Sequence, residues 1–291
     1  MKKLLSAAVM ATALAGLMAA PAAAQDKTVK IGAVAWADAE FVSTLAQTVI
    51  NERFEGVKAE ITQLDIAPLF QGLAKGDLDV TLNVWLPGTH ADYWERVGKD
   101  VVTLGVTYTG AKLGWVVPTY IPEDQISSIA DLKKNEVKDK LKGKVQGIDP
   151  GAGLTRLSKE AIDKYDLGYE LVTASDAAMT AALDRAIRRK DWIVATGWSP
   201  HWMFGAYELR YIDDPENALG GVERVYTVAR KGFQTDNPDV AEFLMRMHLP
   251  IAELEAAMFD ARETSVQDAV NKYIEANKAR VDYWVTGEIG S

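Results

Sequence analysis

Short apolar runs alternate with amphipathic stretches along most of the chain, and this alternation is typical of α/β proteins. A first series predicts strands at residues 29–35, 57–63 and 78–84, separated by helices at 38–53 and 67–74. A second series predicts strands at 144–148, 170–173 and 192–196, separated by helices at 154–164 and 176–189. Apolar positions then recur at helical spacing in 240–247 and 266–276, so the C-terminal part is predicted to be mainly helical.

The two series follow one plan. Each opens with a glycine-containing strand and ends on an apolar strand with a tryptophan, 53 positions on from Gly32 at Trp85 and 51 positions on from Gly147 at Trp198. A proline and then a histidine follow each tryptophan. Because proline ends a strand, both tryptophans are predicted at carboxyl ends of strands, where open α/β sheets bind their ligands. We therefore expect two similar lobes with a ligand cleft between them.

The segments between and after the two series indicate how such lobes are joined. Residues 112–118 and 209–212 are β-like and are predicted as the crossover strands. Lobe 1 is then expected to contain residues 25–111 and, as a second and mainly helical part, residues 213–291. Lobe 2 is expected to contain residues 112–212.

The first 24 residues have the features of a secretory signal peptide. Lys2 and Lys3 precede an apolar run at 4–20, and small residues then lead to an expected cleavage site after Ala24. A retained membrane anchor is the alternative, but the run is slightly short and no basic flank follows it. The mature protein is expected to be soluble and exported to a bacterial periplasm, with which the absence of cysteine is compatible.

Composition and charge exclude several classes of function. A chain without cysteine has no disulfide, thiolate nucleophile or Cys-ligated metal centre. The net charge of -9 becomes -11 when Lys2 and Lys3 are removed, and it disfavours nucleic acid as a partner. The three histidines lie far apart without metal-binding spacing, so neither a metal nor a cofactor is predicted.

Two short motifs carry candidate chemistry. The stretch from Gly197 to His201 is similar to a nucleophile elbow, but His201 replaces the required glycine, so Ser199 is predicted as a helix N-cap. The glycine-rich stretch at 147–154 leads into a helix without the Lys-Ser/Thr of a P-loop. Its free backbone N–H groups suit a small anion such as a carboxylate, with an ordinary βα turn as the alternative.

Tryptophan is the stronger indication of function. The chain contains eight, and Trp36, Trp85 and Trp198 all fall where strands or turns are predicted to meet the cleft. Indole faces attract a quaternary ammonium group, which cannot be recognised through hydrogen bonds. Core packing is the usual alternative for any single tryptophan. A cluster of three beside an anion-binding turn predicts a small zwitterionic ligand.

Several motifs together resemble the glycine betaine/proline betaine-binding proteins of ABC importers. They are Ile31-Gly-Ala-Val-Ala-Trp36, Asp79-Val-Thr-Leu-Asn-Val-Trp85-Leu-Pro-Gly-Thr-His90, Gly147-Ile-Asp-Pro-Gly-Ala-Gly153-Leu154 and Thr196-Gly-Trp-Ser-Pro-His-Trp-Met-Phe204. The resemblance spans essentially the whole mature chain. It implies a type II periplasmic-binding-protein fold that closes on its ligand and delivers it to a membrane permease.

The resemblance also implies the site residues. Trp36, Trp85 and Trp198 match the family's cation cage. The backbone N–H groups of Gly153 and Leu154, with His90, match its carboxylate contacts. The expected function is that of a monomeric periplasmic receptor for glycine betaine-like osmolytes, without a catalytic step or cofactor. A receptor for choline, trimethylamine oxide or dimethylsulfoniopropionate is the alternative within this class. A secreted hydrolase of small cationic esters is the alternative outside it.

Overall fold

The computed structural model describes residues 27–289, so the predicted signal peptide at 1–24 lies outside the described residues. The described strands are β1 Lys27–Ala33, β2 Val57–Gln63, β3 Val80–Leu86, β4 Val101–Pro118, β5 Lys144–Gln146, β6 Glu170–Val172, β7 Ala195–Ser199, β8 Leu209–Tyr211 and β9 Val222–Arg230. The helices are α1 Ala37–Arg53, α2 Ile66–Lys75, α3 Ala91–Val97, α4 Asn135–Leu141, α5 Gly153–Lys164, α6 Asp176–Arg189, α7 Met203–Ala206, α8 Phe233–Asp236, α9 Pro238–Arg246, α10 Ile251–Glu263, α11 Val266–Ala276 and α12 Lys278–Thr286.

The two predicted series form two parallel sets of strands with the same topology. In the first set the order is β2-β1-β3, and in the second it is β6-β5-β7, so the first strand of each series lies in the middle. In parallel sets of this kind, the loops that follow the strands emerge at one edge. The carboxyl ends of β1, β3, β5 and β7, with the segments that follow them, therefore carry the predicted site residues.

Two long antiparallel strands lie between the parallel sets and join all nine strands into one sheet. The first part of β4 pairs with β9, and Lys112–Val116 of the same strand pair with β7. Strand β4 thus runs from one parallel set to the other, as predicted for residues 112–118. It begins eleven residues earlier than predicted, at Val101.

The return to the first set differs from the prediction. Residues 209–212 were predicted as a crossover strand, but β8 pairs only with Val116–Pro118 at the end of β4. The antiparallel strand β9 instead pairs with both β3 and β4, and it opens the C-terminal part that was predicted to be mainly helical. The pairing explains the error. A short β-like segment can pair with the end of β4 and need not cross from the second set of strands to the first.

Helices cover the sheet and the C-terminal helices pack against α1. Phe41 of α1 contacts Tyr273 of α11, and Phe54 contacts Phe243 of α9, with ring centroids 6.0 and 5.6 Å apart. Strand β3 is buried through Trp85, as expected for a strand with both faces covered. Within residues 27–289, no helix has both the length and the apolar character needed to cross a membrane.

Candidate ligand-binding site

The carboxyl ends of β1, β3, β5 and β7 and the segments that follow them meet around one small cavity. The space between its walls is about 280 Å³ when the part open to solvent is included. The structure brings all six predicted site residues to this cavity. The complete lining is Trp36, Asp38, Trp85, Thr89, His90, Leu113, Ile148, Ala152, Gly153, Leu154 and Trp198.

Each of the three tryptophans has its indole N–H bonded to the protein. Trp36 donates to Asp149 at 2.9 Å, Trp85 to Asn83 at 3.2 Å and Trp198 to an oxygen of Asp38 at 3.0 Å. All three side chains are buried. Because a hydrogen bond at the ring edge restrains the indole plane, the protein itself sets the ring orientations.

A buried polar cluster lies behind two of these rings. One oxygen of Asp38 accepts from the Asn83 amide and from the Tyr108 hydroxyl, both at 2.6 Å, and the other accepts from Trp198. Burial, followed by the charge of Asp38, raises the pKa of Tyr108 well above its ordinary value. Tyr108 therefore stays a protonated donor to Asp38.

His90 is a fully buried residue with one free donor. Its Nδ1 accepts a hydrogen bond from the backbone N–H of Trp85 at 3.0 Å, so the proton of the neutral ring sits on Nε2. Burial, reinforced by the positive charge of Arg156, lowers the pKa of His90 to about 3. The Nε2 atom has no hydrogen-bond partner among the described residues. An unpartnered buried donor on a cavity wall is suited to an acceptor on a ligand.

The second series contains a histidine in the corresponding place with a different environment. His201 Nδ1 accepts from the backbone N–H of Met203 at 3.0 Å, and its Nε2 lies 3.2 Å from Asp176. The donor of His201 is thus satisfied inside the protein, whereas that of His90 is free. Of the two histidines, only His90 lines the cavity.

The start of α5 adds two further free donors. Ala152 is the N-cap and gives no side-chain cap, and no acceptor among the described residues faces the backbone N–H groups of Gly153 and Leu154. The α5 helix has 12 residues, and its amino end carries partial positive charge. With His90, the cavity therefore presents three free N–H donors for a small anionic group.

Gly153 is required at this position for steric reasons. A β-carbon there would overlap the carbonyl oxygen of Thr89, so only glycine lets the start of α5 approach the loop after β3 so closely. Thr89 is itself held by buried Glu223 of β9, which accepts from its backbone N–H at 3.0 Å and from its hydroxyl at 2.6 Å. The loop beside His90 is therefore fixed from the central strands.

Sequence reasoning missed the other cavity residues. Asp38 was placed at the start of a helix without a role, and Thr89, Leu113, Ile148 and Ala152 were not singled out. Asp38 could have been found from the sequence, because it lies only two residues after Trp36. The predicted N-cap role of Ser199 is wrong, because this residue ends β7 and its hydroxyl lies 3.2 Å from that of Tyr211.

The cavity has the components of a site for a small zwitterion. Its lining includes three tryptophan rings and the carboxylate of Asp38. It also includes three free N–H donors. No Lys or Arg lines it. Within residues 27–289, no group of three or more His, Asp or Glu side chains is arranged to hold a metal ion.

Comparison with known proteins identifies the family. Residues 27–276 match the profile described as the substrate-binding domain of ABC-type glycine betaine transport systems. The chain belongs to this family. The resemblance found from the motifs is thus confirmed, and the chain is a substrate-binding component of an ABC-type transport system. This is a family of transport proteins rather than of enzymes.

Three similar proteins illustrate the relationship. The glycine betaine/carnitine transport binding protein GbuC of Listeria monocytogenes is 34% identical over 158 residues, which is 53% of each protein. The chain thus matches about half the length of that relative. Lactococcal OpuAC, in its closed conformation with glycine betaine, has a TM-score of 0.82 and 34% identity, covering 90% of this chain and 100% of OpuAC. A choline-binding protein of an ABC transporter, in complex with choline, has a TM-score of 0.81 and 27% identity, covering 89% and 92%. The predicted type II periplasmic-binding-protein fold is confirmed.

Proposed function

We propose that this protein binds glycine betaine and related quaternary ammonium zwitterions and delivers them to the permease of its transporter. The observation that carries the proposal is that one small cavity combines three tryptophans with three free N–H donors. The indole N–H groups of these tryptophans are already hydrogen-bonded to the protein. The family membership and the likeness to OpuAC with bound glycine betaine support the same ligand class.

In this proposal Trp36, Trp85 and Trp198 form a cage for the methylated cation. Their N–H groups are already bonded to the protein, so the ligand meets the π-faces rather than the polar edges. A desolvated cation–π contact contributes about 2 kcal/mol. Three such contacts favour a cation that loses few hydrogen bonds when it leaves water, which is the property of a trimethylammonium group.

The carboxylate of the ligand is assigned to His90 Nε2 and to the backbone N–H groups of Gly153 and Leu154. A neutral histidine with its proton on Nε2 is a donor and not a base here, and its pKa of about 3 keeps it so at neutral pH. The amino end of α5 adds a favourable electrostatic contribution for an anion. The ligand then satisfies three buried donors that otherwise remain without partners.

Binding is proposed to close two lobes formed by residues 25–111 with 213–291 and by residues 112–212. Strand β4 runs between the two parallel sets, and Trp198 and Asp38, 160 positions apart, are bonded across the cavity. In hinge closure, a few residues of the connecting segments absorb the change in backbone angles. Glycine betaine should therefore change the tryptophan fluorescence and reduce the radius of gyration in small-angle X-ray scattering.

The proposal includes an exported, periplasmic location and a monomeric state. The basic, apolar and small-residue pattern of residues 1–24 supports export after cleavage behind Ala24. Membership of the transport family supports delivery to a permease. No catalytic step is proposed, because transport needs only reversible capture and release of the ligand.

A receptor for choline or another methylated onium compound, such as trimethylamine oxide or dimethylsulfoniopropionate, is the second candidate. The likeness to the choline-binding protein with bound choline favours it, as does the buried carboxylate of Asp38 on the cavity wall. A hydrolase of small cationic esters has less support. Ser199 does not line the cavity, and its hydroxyl bonds to Tyr211 rather than to a histidine, the usual base of a serine nucleophile.

Isothermal titration calorimetry of the mature protein with glycine betaine, proline betaine, choline and glycine tests the proposal. The two betaines should bind most tightly, choline more weakly, and glycine scarcely at all, because ammonium would lose its water without gaining acceptors. Choline binding tighter than glycine betaine would favour the second candidate. Absence of binding to every methylated compound would refute both, and product formed from betaine esters would point to the hydrolase.

A further inference from the structure

A strongly basic surface lies on the part of the chain that we assign to lobe 2. Residues 133–144 and 185–191 together hold ten of the chain's 32 basic residues but only three of its 41 acidic residues. Helices α4 and α6 both end in these segments, which meet along one groove of about 900 Å³ when the part open to solvent is included. We call it the basic groove, because one acidic residue, Asp191, and five basic residues line it. The five are Lys140, Lys142, Lys144, Arg185 and Arg189.

The basic groove and the ligand cavity lie at opposite ends of the same strands. Lys144 begins β5 and residues 191–194 lead into β7, so the groove is at the amino ends of these two neighbouring parallel strands. The ligand cavity lies at their carboxyl ends. Among the described residues, none lines both. A partner bound at the groove therefore leaves the ligand cavity uncovered.

Most of the positive charge of the groove is not neutralised within the protein. Lys144 pairs with Glu170 at 3.2 Å, and the Lys140 ammonium lies 4.1 Å from the centre of the Trp192 ring. Three exposed side chains of the groove have no hydrogen bond, ion pair or ring contact with any other residue in the described range: Lys142, Arg185 and Arg189. Basic residues often offset the partial negative charge at a helix end, but this is only about half an elementary charge for each helix. The groove therefore presents more positive charge than the ends of α4 and α6 require.

We propose that the basic groove and the exposed lysines and arginines around it bind the anionic headgroups of a phospholipid bilayer. Lys and Arg side chains attract headgroup phosphates without a fixed geometry. The basic residues also extend beyond the groove along α4 and the last turn of α6, and so broad a surface suits a continuous layer of phosphates better than one small anion. Trp192, which is half-buried in the groove, is of a residue type enriched at membrane interfaces. The inference goes beyond the proposed function, since it does not depend on which ligand the cavity binds.

The acidic character of the rest of the chain does not prevent this contact. At physiological ionic strength the Debye length is about 8 Å, so negative charges farther than this from the bilayer contribute little repulsion. Bound through the groove, the receptor stays near the membrane of its transporter, and its ligand cavity faces away from the lipid. It captures ligand in this orientation and leaves the bilayer, or turns on it, before delivery.

Flotation of the mature protein with lipid vesicles tests the inference. Vesicles of phosphatidylcholine alone are compared with vesicles of equimolar phosphatidylcholine and phosphatidylglycerol, at about 50 and about 500 mM salt. We expect binding only to the anionic vesicles and its loss at high salt. Each basic residue at an anionic surface adds about fivefold to binding. The triple variant Lys142→Gln, Arg185→Gln, Arg189→Gln should therefore bind these vesicles about a hundredfold more weakly.

The matched control removes three positive charges outside the groove. It combines Lys75→Gln, Lys99→Gln and Lys159→Gln, whose side chains are exposed and, within residues 27–289, have no bonded partner. This variant should bind anionic vesicles as the wild type does. Circular dichroism and thermal unfolding check that both triple variants are folded.

Three results would overturn the inference. Equal weakening by the two triple variants would assign vesicle binding to the overall charge of the protein. Release from the vesicles by millimolar inorganic phosphate at constant ionic strength would indicate a site for one small anion. Wild-type protein that does not float with anionic vesicles at low salt would exclude a bilayer, and its retention on immobilised polyglutamate would then indicate an acidic protein as the partner.

Discussion

The backbone N–H of Trp85 donates a hydrogen bond to Nδ1 of His90 across 3.0 Å. This contact ties the histidine to the strand end that carries one of the three cavity tryptophans. It also fixes the neutral tautomer, so the only donor that His90 can offer a ligand is Nε2–H. The direction of that donor is therefore set by the backbone of Trp85 rather than by a second side chain.

Replacing His90 by alanine should weaken glycine betaine binding more than choline binding. The variant loses the Nε2–H donor for the carboxylate, and an unmade hydrogen bond at a buried site costs about 1–3 kcal/mol, or roughly 5- to 150-fold in affinity. Choline has no carboxylate, so its affinity should change little. Calorimetry with both ligands measures the difference.

The control for this prediction is His248→Ala. His248 is exposed and contacts only the backbone of Val106 at 3.0 Å, so its replacement should leave both affinities unchanged. If His90→Ala weakened the binding of choline as much as that of glycine betaine, the variant would have damaged the whole cavity, and the assignment of His90 to the carboxylate would fail.

The low pKa of His90 predicts a pH dependence of stability. The group has a pKa of about 3 in the folded protein and about 6.5 when unfolded. Between these values the unfolded chain binds more protons, so His90 makes the free energy of unfolding rise with pH across this window. The wild type should lose more stability than His90→Ala when the pH falls from 7 to about 4. Thermal unfolding of both proteins tests this, and parallel curves would contradict it.

The sequence predicted the residues that line the cavity better than it predicted the side chains that orient them. Trp85 and Trp198 could be found because proline ends their strands and because the two series repeat one plan. The hydrogen-bond partner of Trp198 could not, since Trp198 and Asp38 are 160 positions apart and their contact depends on the complete sheet. Local pattern contains no information on such pairs.

The central antiparallel strands were missed for different reasons. Residues 101–111 include Gly105 and Gly110, which interrupt the alternation expected of a strand, and β4 has irregular register with β9 near both. Strand β9 did carry a signal, because Val222–Arg230 alternates and is rich in β-branched residues. The helical pattern that follows was extended too far back over it.

Gly153→Ala should weaken ligand binding by about tenfold or more. A β-carbon at this position overlaps the Thr89 carbonyl oxygen, so α5 must move away from the loop after β3. The movement separates the Gly153 and Leu154 donors from His90 and costs the ligand part of its carboxylate contacts. The matched control is Gly151→Ala in the same loop, where the added carbon meets only ordinary contacts at 3.5 and 3.6 Å. Equal affinities of the two variants would mean that the close approach is not needed for binding.

Alanine at Trp36, Trp85 or Trp198 should each weaken glycine betaine binding by about tenfold or more, and phenylalanine should weaken it less. Alanine removes both a cation–π contact of about 0.5–2 kcal/mol and the apolar surface around the methyl groups, whereas phenylalanine keeps a smaller π-face. Trp192→Ala is the control, because that ring lies outside the cavity beneath Lys140. Wild-type affinity in two of the three folded alanine variants would refute the cage.

Arg156→Gln should increase the rate of ligand release with little change in the rate of binding. Its guanidinium donates to the Gly88 carbonyl at 2.9 Å and lies 3.2 Å from Asp92, so it links α5 to the loop after β3 and to α3. These contacts join segments that we assign to different lobes, and they should form only after the ligand has entered. Loss of the contacts destabilises the closed state and leaves the first encounter unaffected. Stopped-flow tryptophan fluorescence separates the two rates.

The control is Arg188→Gln in α6. It removes an exposed ion pair with Asp184 of the same helix, away from the lobe boundary and the cavity. A slower binding rate with unchanged release would instead show that Arg156 attracts the ligand from solution.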